Sequence, residues 1–134
     1  MYTDHRVEYD LGSLDITGTT PLFLTPGHQP MRVRAVGIVL TTALSVAASV
    51  ITVERAVTPG SVVGAVSLGT ITIPATGAIG EVYWGEFDDV VSPGDQLAVV
   101  SDGVTTTGAG RVVVAVEPKW ETPENNASMI EKTS

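Results

Sequence analysis

The residues of this chain with the means to do chemistry are few and scattered. His5 and His28 are the two histidines, and they fall in segments that read as an arm and a turn. A serine hydrolase needs an imidazole base beside its nucleophile, and no Gly-x-Ser-x-Gly elbow surrounds any serine. The two histidines also lack the His-x-His pairing on one strand that a cupin metal site uses, so no metal is expected through imidazoles. With no cysteine in the chain, thiolate zinc, iron–sulfur clusters and disulfides are excluded. Carboxylates are more plentiful: Glu81, Glu86, Asp88, Asp89, Asp95 and Asp102 cluster in the second half. Paired acids can hydrolyse a glycoside at suitable separation, and oxygen ligands can hold calcium, with Asp88-Asp89 the place to look. Asp95, directly after Pro93-Gly94, instead reads as a turn former, and the acids as a group read as solvated loop residues. Gly108-Ala109-Gly110 is neither a P-loop nor a dinucleotide fingerprint. No catalytic residue and no cofactor is expected.

Aromatic side chains offer another kind of chemistry, stacking. Tyr83-Trp84 forms the densest aromatic patch and Trp120 stands apart. Strand alternation turns Tyr83 and Trp84 to opposite faces, one toward the core and one toward the surface. A surface indole can stack on a sugar ring, although core and interface packing are its commoner uses.

The elements that must position these groups read as strands throughout. The 134 residues suit one domain with a core large enough to need no staples. Apolar content of 43% is carried mostly by Val, Ala, Ile and Leu, and β-branched side chains pack well on a pleated surface. Short Val/Ile/Thr runs punctuated by Gly, Pro, Asn and Asp are the pattern of a sandwich or barrel. We assign an N-terminal arm over 1–20, with a possible edge strand at Arg6–Leu11, a β-sandwich over 21–118, and a polar tail over 119–134. Within the sandwich the expected strands are Leu22–Thr25, Met31–Leu40, Val50–Val57, Val62–Val66, Leu68–Ile73, Ile79–Phe87, Gln96–Ser101 and Arg111–Val116. Gly69 marks a bulge or close approach, and Gly110 a turn. Asp88-Asp89 is read as part of a loop, and a further loop is read from Asp102-Gly103 through Thr105–Gly110. Thr41–Ser49, with neither Gly nor Pro, fits a helical turn or a broad strand connection.

Charge narrows the partners. Seven basic against fifteen acidic residues give a formal charge of −8, which disfavours phosphate-backbone binding and anionic membrane, so neither nucleic acid nor membrane is expected as a partner. The opening Met1–Arg6 has no apolar h-region, and no secretory leader is expected. Ala35–Val53 is uncharged and nearly long enough to cross a bilayer. Its Ser and Thr residues, Gly37 and the alternation past its end favour strands instead. The polar tail carries apolar hooks at Trp120, Met129 and Ile130. Termini of this kind fray unless tied down, so the domain itself or a neighbour is expected to hold them.

Four stretches together resemble the capsid decoration, or cement, proteins of tailed bacteriophages. They are Arg32-Val33-Arg34-Ala35-Val36-Gly37-Ile38, Val53-Glu54-Arg55-Ala56-Val57-Thr58-Pro59-Gly60, Ser92-Pro93-Gly94-Asp95-Gln96-Leu97 and Pro118-Lys119-Trp120-Glu121. The likeness runs from about Leu11 to Trp120 and is one of texture more than of diagnostic motif. It implies an all-β, jelly-roll-like β-sandwich with an extended N-terminal arm and a C-terminal tail, located on the capsid surface of a virion. It further implies a non-enzymatic structural protein that ties major capsid protein subunits together, and it transfers no catalytic residue. Arms that complete a neighbour's sheet edge would suit that work. Partner contact is therefore expected at Tyr2, His5, Arg6 and Tyr9 and at Trp120, Met129 and Ile130. Self-association is also expected, a trimer before a dimer, since a trimer suits three-fold capsid positions. The competing reading is a receptor- or carbohydrate-binding module of a fibre or baseplate, which requires an exposed aromatic platform.

Overall fold

A computed structural model describes residues 6–118. Eight strands follow one another without a helix: β1 Val7–Asp15, β2 Leu22–Leu24, β3 Met31–Ser45, β4 Ser49–Ala56, β5 Val66–Ile73, β6 Val82–Val91, β7 Gln96–Ser101 and β8 Thr107–Pro118. They form two antiparallel four-stranded sheets, ordered β1-β8-β3-β6 and β2-β7-β4-β5. Successive strands therefore cross repeatedly from one sheet to the other, which is the winding of a jelly roll. The all-β sandwich expected from the sequence is what the chain forms.

Alternation decides what each sheet buries. Val33, Val36, Ile38 and Leu40 of β3 and Val112 and Val114 of β8 face Ile51 and Val53 of β4 and Leu97 and Val99 of β7, all at 0–1% exposure. Burying a side chain of this size stabilises the fold by about 1.5–3 kcal/mol. The sheets approach closely where glycines remove the Cβ. A Cβ on Gly69 would stand 2.8 Å from Phe87 Cε1, and one on Gly85 2.8 Å from Ile71 Cγ1. At Gly69 the β4–β5 register also slips, between Val53 and Glu54, so this glycine serves both a bulge and a close approach.

Several boundaries differ from the sequence reading. The sandwich begins at Val7 rather than Pro21: β1 pairs with β8 from Val7↔Val116 to Asp15↔Ala109, and Leu14 and Ile16 are buried in the core. Thr41–Ser45 continues β3 instead of turning as a helix, because Thr42 and Ser45 stay in register with Ala109 and Thr107 of β8. The chain then reverses at Val46, where φ is +76° and Ala47 N–H donates to Ser45 O at 2.9 Å, a γ-turn. Residues 62–65 form a turn closed by Ala65 N–H on Val62 O, not a strand. Asp88–Val91 lies inside β6, paired with β3, and Gly110 lies inside β8 against Ile38 rather than in a turn.

Loops gather at two ends. The β1–β2, β3–β4, β5–β6 and β7–β8 connections share one, where Asp102 N–H reaches Val50 O and Leu44 N–H reaches Gly77 O. The β2–β3, β4–β5 and β6–β7 connections share the other, where Gly60 N–H donates to Gln96 Oε1 and Gln96 Nε2 to Thr25 Oγ1. Both ends of the described chain lie at this second end, since Val7 pairs with Val116 and Met31 with Pro118. Ala35–Val53, tested above as a membrane span, is the second part of β3, the turn and most of β4. Among the described residues no helix is long and apolar enough to cross a membrane.

Candidate interaction surfaces

Most acids of the second half are separately engaged. Asp88, exposed on β6, accepts from Arg32 Nη1 at 2.6 Å and Arg34 Nη1 at 3.0 Å across the sheet. The Arg32 hydrogen bond, with its charge, lowers the Asp88 pKa. Neighbouring Asp89 points to the other side of the strand, so the two carboxylates do not form a chelating pair. Glu81 accepts from Tyr83 Oη at 2.5 Å and Ala78 N–H at 2.9 Å, and the phenol hydrogen bond lowers its pKa. Asp95 closes its turn with N–H on Ser92 O and lies 3.9 Å from Arg55.

Asp102 does structural work. Its carboxylate accepts from Ser49 Oγ at 3.0 Å and from the N–H groups of Val50 and Val104, both at 3.1 Å. Ser101 Oγ in turn donates to Ile16 O at 2.7 Å and lies 2.9 Å from Ser49 Oγ. This network satisfies the buried hydroxyls of Ser49 and Ser101 and ties three loops. Partial desolvation works against the Asp102 charge, but the hydrogen bonds from Val104, Val50 and Ser49 prevail and its pKa falls. Asp10 and Asp15 are lowered as well, through hydrogen bonds from Arg111 and from Thr17. Every carboxyl of the described residues with a resolved shift is thus held ionised, the reverse of what a general acid near neutral pH requires. No cluster of three or more metal-ligating side chains occurs among the described residues.

Two concave surfaces among the described residues bear on binding. The larger, about 390 Å³, lies at the end where the chain leaves the sandwich, lined by Tyr9, Leu24, Pro26, Pro30, Met31 and Val116 among others. Tyr9 is on the core-facing side of β1, opposite Val114, yet β1 is an edge strand and Tyr9 and Val7 remain 45% and 42% exposed. The second, about 300 Å³, is a shallow depression on the outer face of the other rows of the same sheet, lined by Arg6, Glu8, Ala35, Trp84, Glu86 and Ala115. The Trp84 ring lies across Gly37: a Cβ there would sit 2.6, 2.7 and 2.8 Å from three carbons of its six-membered ring.

Of the residues expected to contact a partner, Tyr9 walls the groove and Arg6 lines the depression, so the two serve opposite faces of one sheet. Tyr2, His5, Trp120, Met129 and Ile130 lie outside the described residues. The remaining groove residues were missed in the sequence because the groove forms only where three separate stretches meet, at Tyr9, at residues 24–31 and at Val116. The opposite orientations of Tyr83 and Trp84 were foreseen, but the seating of Trp84 on Gly37 was not. Its signal was a glycine in the middle of an otherwise apolar strand.

No protein-family model matches the chain, and no curated protein matches it. Among solved structures, a chain of the infectious bursal disease virus Gx strain aligns at TM-score 0.31 and 10% identity, covering 90% of this chain and 35% of that one. A likeness of that size is too distant to carry an argument about what this protein does.

Proposed function

We propose that this protein is a non-enzymatic virion structural protein that binds the outside of a phage capsid and stabilises contacts between major capsid protein subunits. The observation that carries the reading is the apolar groove beside edge strand β1, at the end of the sandwich where both ends of the described chain lie. An edge strand offers unpaired N–H and C=O groups, and a neighbour's extended segment can complete its ladder. Val7 and Tyr9 would then be covered by the partner instead of by this chain. The sequence resemblance to decoration proteins supports the same use, as does a sandwich that engages Asp88, Asp95 and Asp102 in its own ion pairs and loops and leaves no acid pair set up for catalysis among them. The acidic surface favours a capsid partner with basic groups.

Particle-binding by the full chain tests this. Tyr9→Glu would place a charge in the groove, and occupancy on purified capsids, counted by densitometry, is expected to fall at least tenfold while the circular-dichroism spectrum stays β. Removing residues 119–134 tests the tail in the same assay. Undiminished occupancy in both variants would refute the reading.

A further inference from the structure

The geometry points to a saccharide-binding platform on the outer face of the β1-β8-β3-β6 sheet, centred on Trp84. It is independent of the capsid reading and uses the other face of that sheet.

The platform is built from the strand register. Trp84 of β6 stands opposite Gly37 of β3, Gly37 opposite Val113 of β8, and Val113 opposite Asp10 of β1. One row further on stand Glu86, Ala35, Ala115 and Glu8. Side chains in the middle of this face are therefore small, and the indole reclines over the glycine, which supports one of its faces. With 51% of its surface exposed, Trp84 presents the other face to solvent. A half-exposed ring that lies flat against a strand offers a flat apolar face, and the partner that suits it is a flat one with C–H groups on one side. A pyranose ring fits that description, because its axial C–H bonds meet the negative face of an aromatic quadrupole.

The rim supplies the second half of the recognition. Glu8 and Glu86 bound the depression at either side, with Arg6 alongside. Carboxylates accept from paired sugar hydroxyls, and a guanidinium donates in a planar fork. Two carboxylates against one guanidinium leave the rim negative, on a chain that already carries −8. The ligand class is accordingly a neutral oligosaccharide, while sialylated or uronic acid sugars are repelled. A second copy of the chain is a poorer occupant, since stacking this face on itself would bring Glu8 and Glu86 against their own equivalents.

The test follows the indole Nε1–H resonances of the full-length protein, one from each of its two tryptophans, assigned with Trp84→Phe. Titrations use cellotetraose and chitotetraose as neutral probes and 3′-sialyllactose as the anionic control. The Trp84 resonance is expected to shift saturably with at least one neutral probe, at a Kd of about 1 mM or tighter, and to stay put with sialyllactose. Gly37→Ala, which lifts the ring off its seat, is expected to weaken binding about tenfold or more. Glu86→Gln is expected to weaken it roughly threefold to tenfold. Should Gly37→Ala fail to fold, Glu86→Gln decides alone. The proposal fails if neither neutral probe moves the Trp84 signal saturably, if the variants bind like the parent, or if sialyllactose binds best. It fails equally if the signal changes with protein concentration alone and Trp84→Phe lowers the sedimentation coefficient, which would make the face a self-association surface.

Discussion

Gly37 and Gly110 look equivalent by distance, yet a methyl group is expected to be tolerated at the first and costly at the second. A Cβ at Gly37 would stand 2.6 Å from a ring carbon of Trp84, and a Cβ at Gly110 would stand 2.7 Å from Ile38 Cγ2. Carbon atoms settle at roughly 3.5–4.0 Å, so each neighbour must retreat by about 1 Å. Trp84 can do so, because solvent lies on its far side and its side chain can rotate outward. The lost ring contact is offset by the narrowing of the unfolded ensemble when glycine becomes alanine, about 0.4–1 kcal/mol. Gly37→Ala should therefore alter stability by less than about 1 kcal/mol. Ile38 has no such freedom: it is 0% exposed, and the backbone carbonyl of Val39 stands 3.0 Å from the same Cβ. Overpacking of that kind costs about 1–3 kcal/mol, so Gly110→Ala should lose roughly 1–2 kcal/mol net of the same unfolded-state gain. At a slope of about 1–3 kcal/mol per molar urea, the midpoint of Gly110→Ala should lie about 0.3–2 M below that of Gly37→Ala. Equilibrium urea unfolding read by far-ultraviolet circular dichroism makes the comparison without relying on tryptophan emission. If Gly37→Ala proves as destabilising as Gly110→Ala, the indole is not free to move and the account of that face is wrong.

Further outcomes follow from the core, the turn and the acids. Leu97→Ala removes a fully buried side chain between the sheets and should cost about 3–5 kcal/mol by urea unfolding; a loss under about 1 kcal/mol would mean the core collapses around the gap. Val46 holds φ at +76° while 83% exposed; Val46→Gly should raise stability by about 0.5–1 kcal/mol once glycine's extra unfolded entropy is subtracted, and a clear loss would show an unrecognised role for the valine. Acid should unfold the protein. Asp10, Asp15, Glu81, Asp88 and Asp102 have lowered folded pKa values, so their contribution is full above the ordinary carboxylate range near pH 4 and is withdrawn as pH falls through the lowered values. Unfolding midpoints at pH 7, 4 and 3 should decline in that order, less steeply in Asp102→Asn; a flat profile would contradict this.

Strand periodicity was legible wherever one face is buried: it put Tyr83 and Trp84 on opposite faces, though not which of them faces the core, and it marked Gly69 as a bulge or a close approach, where the structure has both. It failed where tertiary partners overrule local texture. Asp88-Asp89 reads as a loop because acids are poor strand formers, but Arg32 and Arg34, more than fifty residues earlier, neutralise Asp88 across the sheet. Thr41–Ser49 gave no turn signal because the reversal uses a valine at positive φ, a place where glycine or asparagine is expected. The edge strand expected at Arg6–Leu11 is present as β1, but it belongs to the sandwich and runs on to Asp15, which outward Glu8 and Asp10 conceal and core-facing Leu14 explains. The groove could not be read at all, since it exists only once β1, the β2–β3 connection, β3 and β8 have met.

The pairing of β1 with β8 also governs how the molecule comes into being. Arg111 meets Asp10 at 2.7 Å across a separation of 101 positions, and β8 is the strand that joins β1 to β3. Until the ribosome has released roughly the last strand, the first has nothing to lie beside. Such distant closure makes folding slow, in the millisecond-to-second range of all-β topologies, and leaves the early hydrophobic runs exposed throughout synthesis. An acidic nascent chain repels its copies during that wait.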